Sequence, residues 1–340
     1  MSAIKKERVP VDPATFFASN SFCSIALNMI QRDLRIVSLV VFCVVAIGVY
    51  YFSFCNETYS FEMGQLIKNQ TMRLQSMDNQ SNIFIIHTVL FKLEDSEPSD
   101  ISLIAMLALK SAKLIGNSDK VKLYHNNKPP QGPNFDEARQ FIDEVEQVQV
   151  PTEIFGKAIK DLTHAKDVFE IETLRKNGGA FIDLDIFVLS DLRPLFENYQ
   201  FVMGKESQTN LLAAMVIAQK DSFFLNAWHQ AYENFDDHKW SIHSGIIPKK
   251  LSEIYPEEIK ILDFNELAKP CYDHFGLQMA FLDRTYDYEK NIATHLWSHM
   301  PASRLLQSHI TKDKILTIDT SLFCLLRHFV TENSGIFQTF

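Results

Sequence analysis

Positive charge is scarce in this chain. Its 340 residues carry 33 Lys and Arg against 42 Asp and Glu, a formal net charge of −9. That balance excludes a nucleic-acid binder, which needs a basic surface to neutralise phosphates. It also means that any anionic ligand is drawn in by local charge or by a metal, not by the overall field. Glycine is sparse at 11 residues, and no Gly-rich phosphate loop occurs. Internal repeats and low-complexity tracts are absent. The five cysteines are too scattered for a zinc motif. Apolar content is ordinary at 46%, enough for one large domain or two small ones.

One stretch lacks charge altogether. Ile36 to Phe54 reads IVSLVVFCVVAIGVYYFSF, about 28 Å long as a helix and close to a bilayer's hydrocarbon thickness. A soluble core helix of that length shows a polar face; this one shows none, and Tyr50 and Tyr51 sit at one end as interfacial aromatics do. Lys5, Lys6, Arg8, Arg32 and Arg35 precede the run, and the next basic residue is Lys68. The positive-inside rule therefore puts residues 1–35 in the cytosol as a tail and the rest in a lumen. A cleaved signal peptide is the rival reading, but its apolar region is shorter and nearer the N-terminus. A transmembrane signal anchor over 36–54 fits better. Sequons at Asn56, Asn69 and Asn79 fall just beyond it and nowhere else, so 55–81 reads as a glycosylated stem.

The cysteines divide by compartment. Cys23 is a cytosolic thiol or a lipidation site, and Cys43 packs within the span. Cys55, Cys271 and Cys324 are lumenal, where disulfides persist. Cys271–Cys324 is a candidate bridge, leaving Cys55 free or joining two chains as a homodimer through their stems.

Residues 82–340 read as an α/β domain. Asn82 to Thr88 is an apolar run ending in His87 and Thr88, a first strand. Ile101 to Ile115 has helical spacing, Val121 to His125 a strand, and Phe135 to Val148 a helical pattern. Asp161 to Asn177 is the best helix, closed by a glycine cap at Gly178. Strand–helix alternation predicts a mainly parallel sheet, Rossmann-like, with ligands at the carboxyl ends of its strands. Phe201 to Gly204 and Leu211 to Ala218 are further strands, and Ser222 to Phe235 a helix. The stretches 240–248, 271–281 and 293–297 are turn-rich, as binding loops are.

Gly178 to Leu189 reads GGAFIDLDIFVL, a strand interrupted by two aspartates. At i and i+2 of one strand, Asp183 and Asp185 point the same way. Buried carboxylates without a partner are costly or protonate, and a divalent cation removes that cost. Two solvated loop acids are the plain alternative. Trp240 and Trp297 each suit either a core position or a sugar-stacking platform.

The stretch His164 to Leu189, HAKDVFEIETLRKNGGAFIDLDIFVL, resembles the DXD-containing sugar transferases of glycosyltransferase family 32. It is also similar to the Golgi α-galactosyltransferases and α-N-acetylglucosaminyltransferases. The match runs through Asp167, Gly178-Gly179 and Asp183-Leu184-Asp185. Looser matches follow at Ala214 to Phe224, at Trp240 to Pro248 with His243 and Gly245, and at Thr294-His295-Leu296-Trp297. The resemblance implies a GT-A fold and a retaining hexosyl transfer from a UDP-sugar to a glycolipid or glycoprotein in the Golgi. It also implies Mn²⁺ or Mg²⁺, and carboxylates with one imidazole suit Mn²⁺. On this reading Asp183 and Asp185 are the catalytic acids, and Asp185 and His295 ligate the metal, with Asp183 reaching a metal-bound water or the ribose. Asp167, His87, Thr88, His164, Gly179, Asn210, His243 and Gly245 line the donor.

The pattern departs at two points. Glu170 stands where the family has arginine, which moves that charge to Lys166 or Arg175. Leu212 stands where it has asparagine, with Asn210 two residues away. These departures support a rival from another class, an impaired relative acting as a lumenal glycan- or partner-binding protein. A phosphatase of the haloacid dehalogenase type also uses D-x-D, but Ile186-Phe187 follows it here, a hundred residues too late. Peptide N-glycosidase treatment of the full-length protein is expected to speed its migration on denaturing gels; unchanged mobility would sink the lumenal topology.

Overall fold

The computed structural model describes residues 83–93 and 96–331. By its contacts the chain divides into Met1–Gln80 and Ser81–Phe340, and every described residue lies in the second unit. The apolar run 36–54, Asn56, Asn69, Asn79 and Cys55 fall outside the described residues. Among the described residues, no helix is long and apolar enough to cross a membrane.

Eleven strands are described, in chain order β1 (Ile85–Leu90), β2 (Lys120–His125), β3 (Glu144–Gln147), β4 (Glu153–Ile154), β5 (Lys157–Ala158), β6 (Gly179–Ile182), β7 (Ile186–Val188), β8 (Phe201–Lys205), β9 (Leu211–Ala218), β10 (Lys260–Leu262) and β11 (Ala293–His295). The helices that matter for the site are α1 (Leu103–Ile115), α2 (Leu162–Asn177), α3 (Phe223–Gln230), α4 (Ile247–Ile254), α5 (His274–Phe281) and α6 (Ser321–Val330). Seven strands form one sheet in the order β10-β8-β9-β6-β1-β2-β3, while β7 pairs with β11 and β4 with β5. Within the large sheet, β9 alone runs against its neighbours β6 and β8; the other pairs are parallel. This is a mixed α/β domain with a mostly parallel central sheet, consistent with the GT-A arrangement.

The elements follow from local chemistry. All eight residues of β9, LLAAMVIA, are buried, as a strand between two others with both faces covered must be. Its reversal places Leu211 at the end of the sheet where β6 finishes, because Ile182 pairs with Met215 and Gly179 with Ala218. The short 206–210 loop is thereby delivered beside the D-x-D turn. Helix α2 starts at Asp161, whose carboxylate accepts from the Thr163 amide at 2.7 Å, an N-cap of the usual kind. It ends where the Gly178 amide donates to the Leu174 carbonyl at 2.7 Å with Gly178 at φ +67°, as the glycine pair predicts.

Two expectations are corrected. Phe135 to Val148 is not one helix: a short helix at Pro133–Ala138 and a single 3₁₀ turn give way to β3. The acids that suggested a helical face are cross-strand partners, with Glu144 2.5 Å from Lys120 and 3.3 Å from Lys122. The second correction concerns GGAFIDLDIFVL, which is two strands. β6 ends at Ile182, and a turn closes with the Ile186 amide donating to the Asp183 carbonyl at 3.0 Å. β7 then leaves the large sheet to pair with β11, His295 opposite Ile186. Asp183 and Asp185 converge because a tight turn brings them together, not because a strand alternates.

Gly179 has a backbone role. At φ +105°, a Cβ there would run into the Ile85 carbonyl oxygen and crowd the His87 ring at 3.2 Å. Gly179→Ala is expected to lower unfolding free energy by about 2 kcal/mol or more, measured by denaturant unfolding; an unchanged midpoint would refute the close approach.

Candidate metal and donor site

The D-x-D turn faces the β7–β11 ribbon. One ligand atom each from Asp183, Asp185 and His295 lie within 4.8 Å of one another. Ligand oxygens about 2.1 Å from a divalent ion stand about 3 to 4 Å apart, so a small side-chain rotation closes the set. His295 Nε2 is 3.3 Å from Asp185 Oδ2, and its Nδ1 is buried with no partner among the described residues. Two carboxylates and an imidazole whose Nε2 already faces them form a donor set suited to a divalent metal ion. The residues present fit the ion.

Asp185 is prepared to stay ionised. Burial alone would raise its pKa, but the His295 imidazole and the Ser298 amide, donating to Oδ2 at 2.6 Å, hold it well below the usual carboxylate range. Asp183 goes the other way: burial pushes it up, partly opposed by Lys166. The two aspartates thus sit in different environments although one residue separates them.

Lys166 is the hub. Its Nζ lies 3.1 Å from Asp167, 3.1 Å from Glu170 and 3.0 Å from Asp183. Burial would depress this ammonium, but Asp183, Glu170 and Asp167 overcome it and hold its pKa well above normal. Glu170 is fully buried, and desolvation drives it toward its neutral form despite Lys166. Its Oε1 and the hydroxyl of Tyr232 are buried without partners among the described residues. Arg175 is occupied elsewhere, bonded to Asn226 at 2.9 Å and His229 at 3.1 Å. The cation that faces the D-x-D turn is Lys166.

The other expected donor residues separate into neighbours and scaffold. Asp167 joins the cluster through Lys166. Asn210 stands in the 206–210 loop, its amide 3.3 Å from Glu206 Oε2. Glu206, which the sequence offered no motif to find, is pushed up by burial and lies within range of His295's charge. His87 is a core tie: its ring nitrogens meet the Tyr124 hydroxyl at 3.0 Å and the Gly178 carbonyl at 3.1 Å, and burial pushes its pKa down to about 4. Both nitrogens are engaged and the ring is fully buried. Thr88 is likewise buried. His243 is an interior residue, its Nε2 accepting from the Asp236 amide at 3.3 Å and its pKa lowered by burial to about 4. Gly245 serves close packing, since a Cβ would meet the Leu211 carbonyl oxygen at 3.1 Å. His164 is buried and pairs with Asp237 at 2.9 Å. The Cys271–Cys324 bridge does not form. Both thiols are free; Cys324 donates to Asp319 at 3.1 Å, while Cys271 lies with its backbone packed against Gly276.

A hollow of about 290 Å³ adjoins the cluster, lined by Leu90, Lys92, Asp100, Ser102, Asp185 and Ser298 among others. It lies at the carboxyl end of β1 and the N-terminus of α1, and is large enough for part of a nucleotide. Larger hollows of about 590 and 580 Å³ contain none of the cluster residues.

No protein-family model matches the chain. A curated relative, Glucan organizing enzyme 1 of Cryptococcus neoformans var. grubii, is 26% identical over 238 residues, which are 66% of this chain and 64% of the relative. The match thus spans slightly under two thirds of that protein. Among solved structures, the glycosyltransferase GlyE of Streptococcus pneumoniae TIGR4 aligns with a TM-score of 0.42 at 12% identity over 75% of this chain and 61% of its own. The galactosyltransferase LgtC, in complex with donor and acceptor sugar analogs, aligns with a TM-score of 0.36 at 12% identity over 76% of this chain and 97% of its own. Scores of this size leave the fold to be argued from strand order alone.

Lys166→Met strands buried carboxylates and is expected to cost about 3–5 kcal/mol at neutral pH, whereas Lys166→Arg retains most of the stability. Asp183 already has a raised folded-state pKa, so its penalty exists above that pKa and disappears as protonation sets in. The deficit of Lys166→Met should therefore shrink from pH 7 to pH 5. Denaturant unfolding at both pH values checks this; a deficit that grows on acidification would refute it.

Proposed function

We propose that the protein is a metal-dependent glycosyltransferase of the GT-A type, transferring a hexose from a nucleotide sugar to a glycan acceptor. The observation that carries this reading is the Asp183–Asp185–His295 set at the carboxyl end of the central sheet, where α/β sheets bind ligands. The finer assignments are a UDP-sugar, galactose or N-acetylglucosamine, retention of configuration, a glycolipid or glycoprotein acceptor, and a single-pass Golgi protein with its catalytic domain in the lumen. The stretch His164–Leu189, the charge-free run 36–54 and the three sequons support them. The name of the 26% identical relative favours a glucan among the acceptors to test first.

A bound divalent cation would neutralise the negative charge that develops on the departing nucleoside diphosphate. The chain's own residues prepare for this. Asp185 is kept ionised by His295 and the Ser298 amide. Lys166 fixes one oxygen of Asp183 and leaves the other for the cation, its water or the ribose. Leu184, Asp185 and Ser298 wall the adjoining hollow. No side chain is assigned as base, because in a retaining transfer the leaving phosphate takes the acceptor's proton.

Leu212 is the observation that favours an impaired binding protein, since it is buried on β9 and presents no polar group. The two readings separate on turnover. Full-length protein in detergent, given UDP-galactose, UDP-N-acetylglucosamine and UDP-glucose in turn, is expected to release nucleotide with Mn²⁺ and not with chelator. Asp185→Ala should lose at least about a hundredfold. Equal, metal-independent release by both proteins would favour the impaired reading.

A further inference from the structure

The three tryptophans have different fates. Trp228 and Trp297 are buried, at 0% and 2% exposure, and their indole nitrogens donate to the His243 and Pro270 carbonyls at 2.7 and 3.1 Å. Trp240 is 54% exposed, and among the described residues its indole N–H meets no protein acceptor. The ring is nevertheless held. It packs against His164 with ring centroids 5.7 Å apart. That imidazole is fixed by Asp237 at 2.9 Å, and Asp237 itself accepts from the Lys160 amide at 3.1 Å. Trp240 also meets His299, with ring centroids 6.4 Å apart. Immediately after it, Ser241 sits at φ +54° and its carbonyl accepts from Gly245 and Ile246 at 2.9 and 3.1 Å, so the backbone is pinned.

Its place relative to the chemistry is short-range. His299 stacks on His295 at 5.9 Å, 27° from parallel, so Trp240 lies two ring-to-ring steps from the metal cluster. Its sequence neighbours are polar, with Asp236, Asp237, His238, Lys239 and Ser241 half-buried or exposed. A lipid or an apolar peptide face wants a contiguous apolar patch. A single indole face ringed by hydrogen-bonding groups instead suits a hexopyranose, whose C–H face lies on the ring while its hydroxyls reach the polar rim.

We infer that Trp240 is the stacking platform for the acceptor, seating a hexopyranose unit of a glycan beside the donor site. This rests on the transferase reading for the word acceptor, but the binding itself is tested separately. The chain has three tryptophans in all, so acrylamide-quenchable emission of the full-length protein reports on Trp240. Lactose, laminaritetraose, chitotetraose and mannotetraose are titrated in turn, with glycerol as a small-polyol control. At least one oligosaccharide is expected to lower the quenching constant by about twofold or more and to shift emission to shorter wavelength, with no effect of glycerol. Trp240→Phe should remove the signal. Absence of protection by all four, or protection that persists in Trp240→Phe, overturns the proposal whether or not nucleotide is released.

With the protecting oligosaccharide as acceptor, Trp240→Ala is expected to raise its KM about tenfold and leave kcat within about threefold, as loss of one stacking contact implies. Trp240→Phe should recover most of the difference. A fall in kcat at unchanged KM would overturn the assignment. Saccharide protection without nucleotide release would instead leave the platform standing and remove the transferase.

Discussion

One ammonium group organises the active end of this domain. Lys166 touches Asp167, Glu170 and Asp183 within 3.1 Å, and so joins helix α2 to the D-x-D turn. Without it the helix would present two acids to a third across a desolvated gap, a like-charge arrangement that proteins avoid or neutralise. With it, α2 packs its apolar residues Val168, Ile171 and Leu174 into the core, while Lys166 ties the buried acids of the same helix to the turn. Burial pushes the Glu170 carboxyl well above its ordinary range, which lessens the like-charge repulsion.

The β7–β11 ribbon supplies the second half of the arrangement. It sets His295 opposite Ile186, next to Asp185, and lets the Ser298 amide reach that carboxylate. The antiparallel β9 adds the third part, bringing the 206–210 loop to the same edge. Turn, ribbon and reversed strand converge on one spot, although each is stabilised by ordinary backbone hydrogen bonds and apolar burial.

Much of this was legible in the sequence, for physical reasons. Helix α2 has a capping acid, a three-residue apolar period and a glycine end, all local signals. The strands β1, β8 and β9 are short, mainly apolar runs and β2 alternates lysine with apolar residues, patterns that fit strands. The two aspartates could be anticipated because acids in an apolar run demand a partner, whereas His295 came only from the resemblance of Thr294 to Trp297 to a family element. What escaped was non-local. Acid–apolar alternation from Phe135 onward fits a helix until the lysines of β2 are seen across from it. The break between β6 and β7 is not marked by glycine or proline, and the i, i+2 spacing of Asp183 and Asp185 fits a continuous strand as well as it fits a turn. The structural duties of His87 and His243 depend on carbonyls and amides that no motif records, and the Ser298 contact is made by backbone. Trp240 and Trp297 were indistinguishable until packing buried one and exposed the other.

The join between Asp185 and Ser298 spans 113 residues of sequence. A chain emerging from its N-terminus completes the first carboxylates long before the imidazole exists, and contacts of such separation form late and slowly. The grouping of Asp183, Asp185 and His295 is therefore a property of the finished domain. Until Thr294 to Ser298 have been made, the aspartates of the turn have only the lysine of their own approach helix to answer them.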